Sequence, residues 1–536
     1  MNAIYNEFLV EYFPLHHNIP LSIDHAHELL LKGNWADAIA VCQGLIQHHP
    51  QHTKAWELWA ELLEKSNHPE LALQITREWT RAQRDYLPAH IQEFRRSINL
   101  CDWTTYEYLQ RLIVGNINYM PGALMLGESA LASPFLQTPL LSKCSQMYAM
   151  GLVQNSPPQP LHRSHSLHLA SGRRIRVGFL GGNYSNQATT YLMVGFIEAH
   201  DRNRFEFIGI DYGHDDQSVL RKRIIQGFDQ FYVLTHLNHA DLAEQIAQLA
   251  LDVLFYIDGV GSPRFAVLAF RPAPIQISYL YFPGPLTAPF LDGMIADEWV
   301  IPNSQEPGFG QTIYRLGCCY QPNDPLRYRP VLRDRRALHL PTDRFIFANF
   351  NASYKITPYM FQLWCTILHA CPESVLLLSI AHASAADNLR REAFFQGIAP
   401  DRLLFSPLLD NQRHLDRLAH VDLILDTFPY GAHTGTSDAL WAGTPVVSLS
   451  GEQFASRVAG SLLRSVGLGH FIVEHAQAYV DLACALYHSR NQSSSELQSV
   501  KEHLRSNRDS FSIFDATSYA RHFENTICEI LATHAL

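Results

Sequence analysis

Residues 424–461 read ILDTFPYGAHTGTSDALWAGTPVVSLSGEQFASRVAGS. Within them, His433-Thr434-Gly435-Thr436 combines an imidazole, two hydroxyls and a residue with no side chain. At the start of a helix such a loop presents backbone N–H groups to a diphosphate, and the helix dipole favours the negative charge. Asp438 follows in the expected first turn, within reach of a ribose. The chemistry these residue types allow is the holding of a nucleoside diphosphate.

The elements that must present this loop stand on either side of it. The apolar run Val421–Leu425 ends in Asp426 and a Pro/Gly turn; a helix-like segment starts at Ser437, and a second apolar run covers Val446–Leu449. An ordinary βαβ crossover carries the same pattern, so shape alone leaves both readings open. Further strands are predicted at Phe345–Asn349, Val375–Ile380 and Leu403–Phe405. An earlier α/β series opens with Ile175–Leu180, which closes on Gly181-Gly182. It continues with a helix at 191–199 and strands at 205–211, 252–257 and 274–281. Two doubly wound sheets are therefore predicted, with a ligand cleft outside the carboxyl ends of their strands.

The first hundred residues read as helical. Leu29, Ala38, Ile39, Val41 and Leu45 recur as Leu63, Ala72, Leu73, Ile75 and Trp79, each pair 34 residues apart. That is the tetratricopeptide period, in which a small residue lets two antiparallel helices approach, and Pro50 punctuates the first of about two units. An unrelated pair of helical hairpins is the other reading. The expected division is 1–103 repeats, 104–172 connector and linker, 173–335 first α/β domain, and 336–536 second α/β domain with terminal helices. Within the connector, 156–172 is polar, Pro-rich and His-bearing, as an exposed linker is.

Bulk properties exclude several classes. A net charge of −10 argues against a nucleic-acid partner. The 28 histidines and nine cysteines show no HExxH or zinc spacing. No DxD-like metal motif stands out, although Asp215-Asp216 is a short acidic pair. An odd cysteine number without periodic spacing predicts reduced thiols and a cytoplasmic home. The N-terminal stretch lacks the basic region and apolar core of a signal peptide, and no run of about 20 apolar residues predicts a membrane span.

Specific motifs narrow the class. HTGTSDALWAGTPVV followed by GEQFASRVAGSLL, with RPAPIQ at 271–276, FPG at 282–284, FNASYKITP at 350–358 and LCDW at 100–103, closely resembles the protein O-GlcNAc transferase family. The resemblance covers roughly residues 95 to 530 and implies the GT-B architecture of family 41 glycosyltransferases, preceded by an all-α repeat region. It implies transfer of a sugar from a UDP-sugar to a protein or peptide acceptor, with no metal and no cofactor. The foremost expectation is GlcNAc moved from UDP-GlcNAc to Ser or Thr. The alternatives are a UDP-hexose-dependent transferase to Asn or Ser/Thr, and a catalytically degenerate repeat-containing binding protein.

The resemblance also assigns residues. Lys355, in FNASYK, matches the lysine that neutralises the leaving phosphates. His433, Thr434 and Gly435 match the diphosphate loop, with His433 able to donate to a phosphate oxygen. Asp438 matches the ribose carboxylate. His414 and Arg417 fall where the family borders the uracil, and Leu280 and Pro283 lie close to the sugar. Arg271 has a structural alternative. The SPINDLY-type branch lacks this His and carries Glu at the Asp438 position, so the pair follows the UDP-using branch. The sequence departs from the family at GGNYSNQATTYLM (181–193), where Asn183 and Gln187 replace an Asp and a His. Gln187 cannot accept a proton near neutral pH, so general catalysis by His is lost at that position. Tyr191 is then a nearby candidate for a catalytic role, as is donor phosphate acting as proton acceptor.

Overall fold

The computed structural model describes residues 21–116, 121–154, 160–161, 172–492 and 495–534. The N-terminal segment read against a signal peptide, and almost all of the expected 156–172 linker, lie outside the described residues. The chain forms two compact units, Met1–Leu126 with His382–Leu389, and Gly127–Ala381 with Arg390–Leu536.

In the first unit the 34-residue spacing becomes helix pairs. Trp35–His48 is repeated by Pro69–Ala82, and Thr53–Lys65 by Leu87–Asn99. Ala38 and Ala72 are fully buried, as close helix approach requires. Trp56 and Trp59 stack at 6.2 Å within their core. The carbonyl of Pro50 accepts from the Trp56 indole at 2.9 Å and from Gln83 Nε2 at 3.1 Å. The punctuating proline thus binds one repeat to the next.

The second unit holds two parallel sheets. The first runs through β1 (Ile175–Gly181), β2 (Phe205–Asp211), β3 (Gln230–Val233), β4 (Val253–Tyr256), β5 (Gln276–Ser278), β6 (Gly293–Asp297) and β7 (Ile313–Leu316), in the order β3-β2-β1-β4-β5-β6-β7. The second comprises β8 (Phe345–Asn349), β9 (Ser374–Ser379), β10 (Leu403–Ser406), β11 (Leu423–Leu425), β12 (Val446–Leu449) and β13 (Ile472–Val473), in the order β10-β9-β8-β11-β12-β13. Strands buried on both faces, such as β8 and β9, read as continuous apolar runs for that reason. Each sheet reverses its strand order once, between β1 and β4 and between β8 and β11, and a crevice opens at the carboxyl ends there. This is the GT-B arrangement.

Several boundaries differ from the sequence reading. The strand expected over 274–281 stops at Ser278, because the chain then turns through Leu280. The helix after β1 starts at Ala188, with Gln187 as its N-cap residue. β3, β6, β7 and β13 were not predicted; each is five residues or fewer, too short for periodicity to register.

The terminal helix Ala516–His534 returns to the first sheet. Phe523 packs on Phe179 of β1, Phe255 of β4 and Phe196, with centroids 6.1, 4.9 and 5.2 Å away. Truncating so buried a ring costs about 3–5 kcal/mol, and Tyr519, which donates to the Tyr320 carbonyl at 2.6 Å, adds to the hold. None of the nine cysteines forms a disulfide. No described helix is long and apolar enough to cross a membrane.

Candidate active site

The site is built where the two switch points meet. β8 and β11 are tied at their ends, because Asn349 Nδ2 donates to the Leu425 carbonyl at 2.7 Å. Asp426, the next residue, is fully buried. It accepts from Thr427 N at 2.8 Å, Ala432 N at 2.7 Å and Ser448 Oγ at 2.8 Å. Burial raises its pKa, and these donors with the Lys355 cation offset part of that rise. The bonds fold 427–433 back on β11 and deliver His433 as the N-cap residue of Thr434–Ala442.

Lys355 closes a single turn after β8 and is 8% exposed. Its ammonium donates to the Gly431 carbonyl at 3.0 Å and lies 3.6 Å from the centre of the Tyr430 ring. Burial pulls its pKa from 10.5 down to about 8, against the opposing pull of Asp426 and Glu128. The cation is thus held in a water-poor place with less charge compensation than its burial demands, and an incoming anion supplies the balance.

The helix at Thr434 starts three residues earlier than predicted, so Asp438 sits in its second turn rather than its first. Its first-turn N–H groups lack intrahelical acceptors. A Cβ on Gly435 would meet Ala432 Cβ at 3.6 Å, ordinary contact, so the protein leaves that space open. The imidazole of His433 behaves differently from the expectation. Burial, then Lys355, lowers its pKa to about 3, so the ring is neutral. Its Nε2 lies 3.1 Å from the Ala455 carbonyl, which can only accept, so Nε2 carries the proton and Nδ1 is a bare acceptor. The neutral ring therefore spends its one proton on Ala455 and has none to donate to a phosphate.

The first half contributes Gln187 and Leu280. Gln187 ends the turn after β1 and leaves its neutral amide exposed. Leu280 has φ +73, and Tyr281 N donates to the Tyr279 carbonyl at 3.0 Å, which makes a γ-turn at a β-carbon-bearing residue. Such strain is concentrated at functional sites. Gln187, Leu280, Lys355, His433, Thr434 and Gly435 all line one cavity of about 280 Å³. Pro283 is buried just beyond the γ-turn.

Five expected site residues, Pro283, Asp438, His414, Arg417 and Tyr191, stand outside that cavity's lining. Asp438 is buried against Arg327, whose Nη1 donates to it at 2.8 Å. Arg327 also binds Asn323 Oδ1 and the Asp324 carbonyl, and its guanidinium lies 5.5 Å from the Trp441 ring centre. His414 Nδ1 accepts from Arg417 Nη2 at 2.8 Å, and Arg417 lies 4.1 Å over the Phe350 ring, one residue before the cavity-lining Asn351. Burial and then Arg417 lower the His414 pKa to about 3, while burial lowers Arg417 to about 10. Tyr191 donates to Asn186 Oδ1 at 2.8 Å, and burial, then Asp438, raises its pKa, so the phenol stays protonated. Arg271 is structural: it binds Asp292 at 2.9 Å and the Pro274 carbonyl at 2.6 Å.

A family model for glycosyl transferase family 41 matches residues 152–315 and 322–523, which hold both sheets. The chain belongs to glycosyl transferase family 41. It is 31% identical over 370 residues to the probable UDP-N-acetylglucosamine–peptide N-acetylglucosaminyltransferase SEC of Arabidopsis thaliana, covering 68% of this chain and 38% of that protein. It is 23% identical over 489 residues to the UDP-N-acetylglucosamine–peptide N-acetylglucosaminyltransferase of Caenorhabditis elegans, covering 70% and 42%. The chain therefore spans about two fifths of the length of these relatives. A variant of the Thermobaculum terrenum O-GlcNAc transferase superposes with a TM-score of 0.78 at 22% identity, covering 100% of this chain and 99% of that one, a likeness of fold.

Within this family 41 site the sequence reading missed Glu128, Tyr320, Tyr430 and Arg327. Tyr430 stood inside the quoted stretch, three residues before His433, without a motif position of its own. Glu128 and Tyr320 fall outside the family match, and Arg327, though within it, lies in the crossing between the sheets, so only the fold assembles them.

Proposed function

We propose that this family 41 protein is an inverting, metal-independent glycosyltransferase that moves a sugar from a UDP-sugar to a polypeptide, with GlcNAc and Ser/Thr as the donor sugar and acceptor. The observation that carries the reading is the convergence on one cavity of an under-compensated lysine cation and an open helix N-terminus. A departing diphosphate needs both, and preorganised charge beside it is worth on the order of one hundred- to one thousand-fold in rate. The names of the Arabidopsis and nematode relatives support the same donor. A second reading, a hexose donor on this scaffold, is favoured by the buried Tyr430 ring, which takes space beneath Lys355. Release of UDP from candidate donors, followed by intact-mass analysis of the acceptor, tests both. A mass increment of N-acetylhexosamine supports the first reading and one of hexose the second. No UDP release from any nucleotide sugar refutes both.

A further inference from the structure

Gln187 lines the donor cavity and cannot take a proton near neutral pH, so the transfer needs another proton acceptor. Resting on the function proposed above, we propose that Glu128 is that base and that the cavity on its far side receives the acceptor hydroxyl. Two cavities meet at Glu128. One is the donor cavity of about 280 Å³ described above; the other, of about 420 Å³, is lined by Gly182, Tyr212, Asp258, Gly261 and Phe282. Glu128, Asn183 and Tyr281 line both. Glu128 is thus a carboxylate in the wall between the two compartments.

Its neighbours fit the role. Tyr354, adjacent in sequence to Lys355, donates to Glu128 Oε2 at 2.9 Å. The other ionisable groups facing it are Tyr281, Tyr430 and the Lys355 cation. The Tyr354 and Tyr281 hydroxyls orient the carboxylate, and its half-buried position leaves it reachable. The competing groups are committed elsewhere. Asp258 accepts from Tyr212 at 2.6 Å and from Gly259 N at 2.8 Å, and burial raises its pKa. Tyr191 donates to Asn186, and His433 is bound to Ala455. In the step, the acceptor oxygen bonds to the anomeric carbon as its proton passes to Glu128. The anomeric C–O bond to the diphosphate breaks, and its electron pair leaves on UDP beside Lys355.

Two variants test this in the full chain. Glu128→Gln keeps the shape and an oxygen for Tyr354 but cannot take a proton. It should lower kcat by about one hundredfold or more, leave UDP affinity within about threefold, and lose the acid limb of the rate profile. Gly261→Phe grows into the second cavity, since a Cβ there meets no atom within 4 Å. It should raise the acceptor KM about tenfold or more while UDP binds as in the wild type. The base role is overturned if Glu128→Gln transfers within about threefold of wild type, or if it loses transfer only through weakened UDP binding. Tighter UDP binding with transfer retained also overturns it, since Glu128 would then only balance the Lys355 charge. Unchanged acceptor KM in Gly261→Phe overturns the acceptor cavity. Wild-type turnover, measured first, judges the transferase reading separately; if it is absent, the base role falls with it.

Discussion

Raising the pH from 7 to 9 should weaken UDP binding through one residue. With its pKa at about 8, Lys355 is roughly nine-tenths charged at pH 7 and one-tenth charged at pH 9 in the free protein. If the diphosphate binds the charged form, the Kd rises about tenfold across this interval, or about 1.4 kcal/mol. His433 and His414, both lowered to about 3, remain neutral throughout and add no slope of their own. Titration calorimetry of UDP in buffers of different ionisation enthalpy measures both the Kd and the protons taken up, which should approach one at pH 9. Lys355→Met should bind weakly at pH 7 and show no such slope. The same shift has a folding signature. Between pH 8 and 10.5 the unfolded chain binds the proton that folded Lys355 has released, so stability without ligand rises with pH through that window, and the cost is fully present below it. Lys355→Met should therefore stabilise the ligand-free protein at pH 7, by at most about 3 kcal/mol. A wild-type Kd constant within about twofold from pH 7 to 9, or an equal slope in Lys355→Met, would refute the placement of this lysine at the phosphates.

Other outcomes follow from the same geometry. Asp438→Asn leaves Arg327 buried and uncompensated, and should lower thermal stability by about 3–5 kcal/mol; a loss of UDP affinity with unchanged melting would assign Asp438 to the ribose instead. Gly435→Ala fits the empty protein, so the melting temperature should hold while UDP affinity drops; equal affinity would place the diphosphate elsewhere. Gln187→Ala should cost about tenfold or less in rate, as one neutral hydrogen bond is worth on the order of 1 kcal/mol, and a thousandfold loss would give Gln187 a direct catalytic part. Transfer should persist in excess EDTA, and a strict need for added divalent metal would sink the mechanism.

Much of this cavity's lining was legible because a helix start is local in sequence. The N–H groups of a helix start are consecutive, so HTGT could announce them, and the apolar runs around it coincide with β8, β11 and β12. The repeat period survived for a similar reason: a small residue at each close helix approach marks the register, as Ala38 and Ala72 do. What sequence could not give is the commitment of a group once packed. Nothing in HTGT says that His433 Nε2 is spent on Ala455, 22 residues on, or that Asp438 is held by Arg327 from the crossing segment. Nor does a strand pattern foresee the γ-turn at Leu280, whose positive φ depends on tertiary support.

The division of labour between the two halves explains this asymmetry. The proposed donor end is drawn mainly from one contiguous stretch, Asp426 to Gly435, plus Lys355, so a motif can encode it. The proposed acceptor end is assembled from Glu128, the turn after β1, the segment after β4 and Tyr281. Each piece is short, and each is positioned by a different strand end. Gln187, which cannot take a proton, lines the smaller cavity and not the larger. On the function proposed above, that shifts the demand for a base onto whichever carboxylate the first half can bring to the wall. In this fold that carboxylate is Glu128, which shares Tyr354 and Lys355 with the donor side and so couples proton removal to phosphate departure within one network.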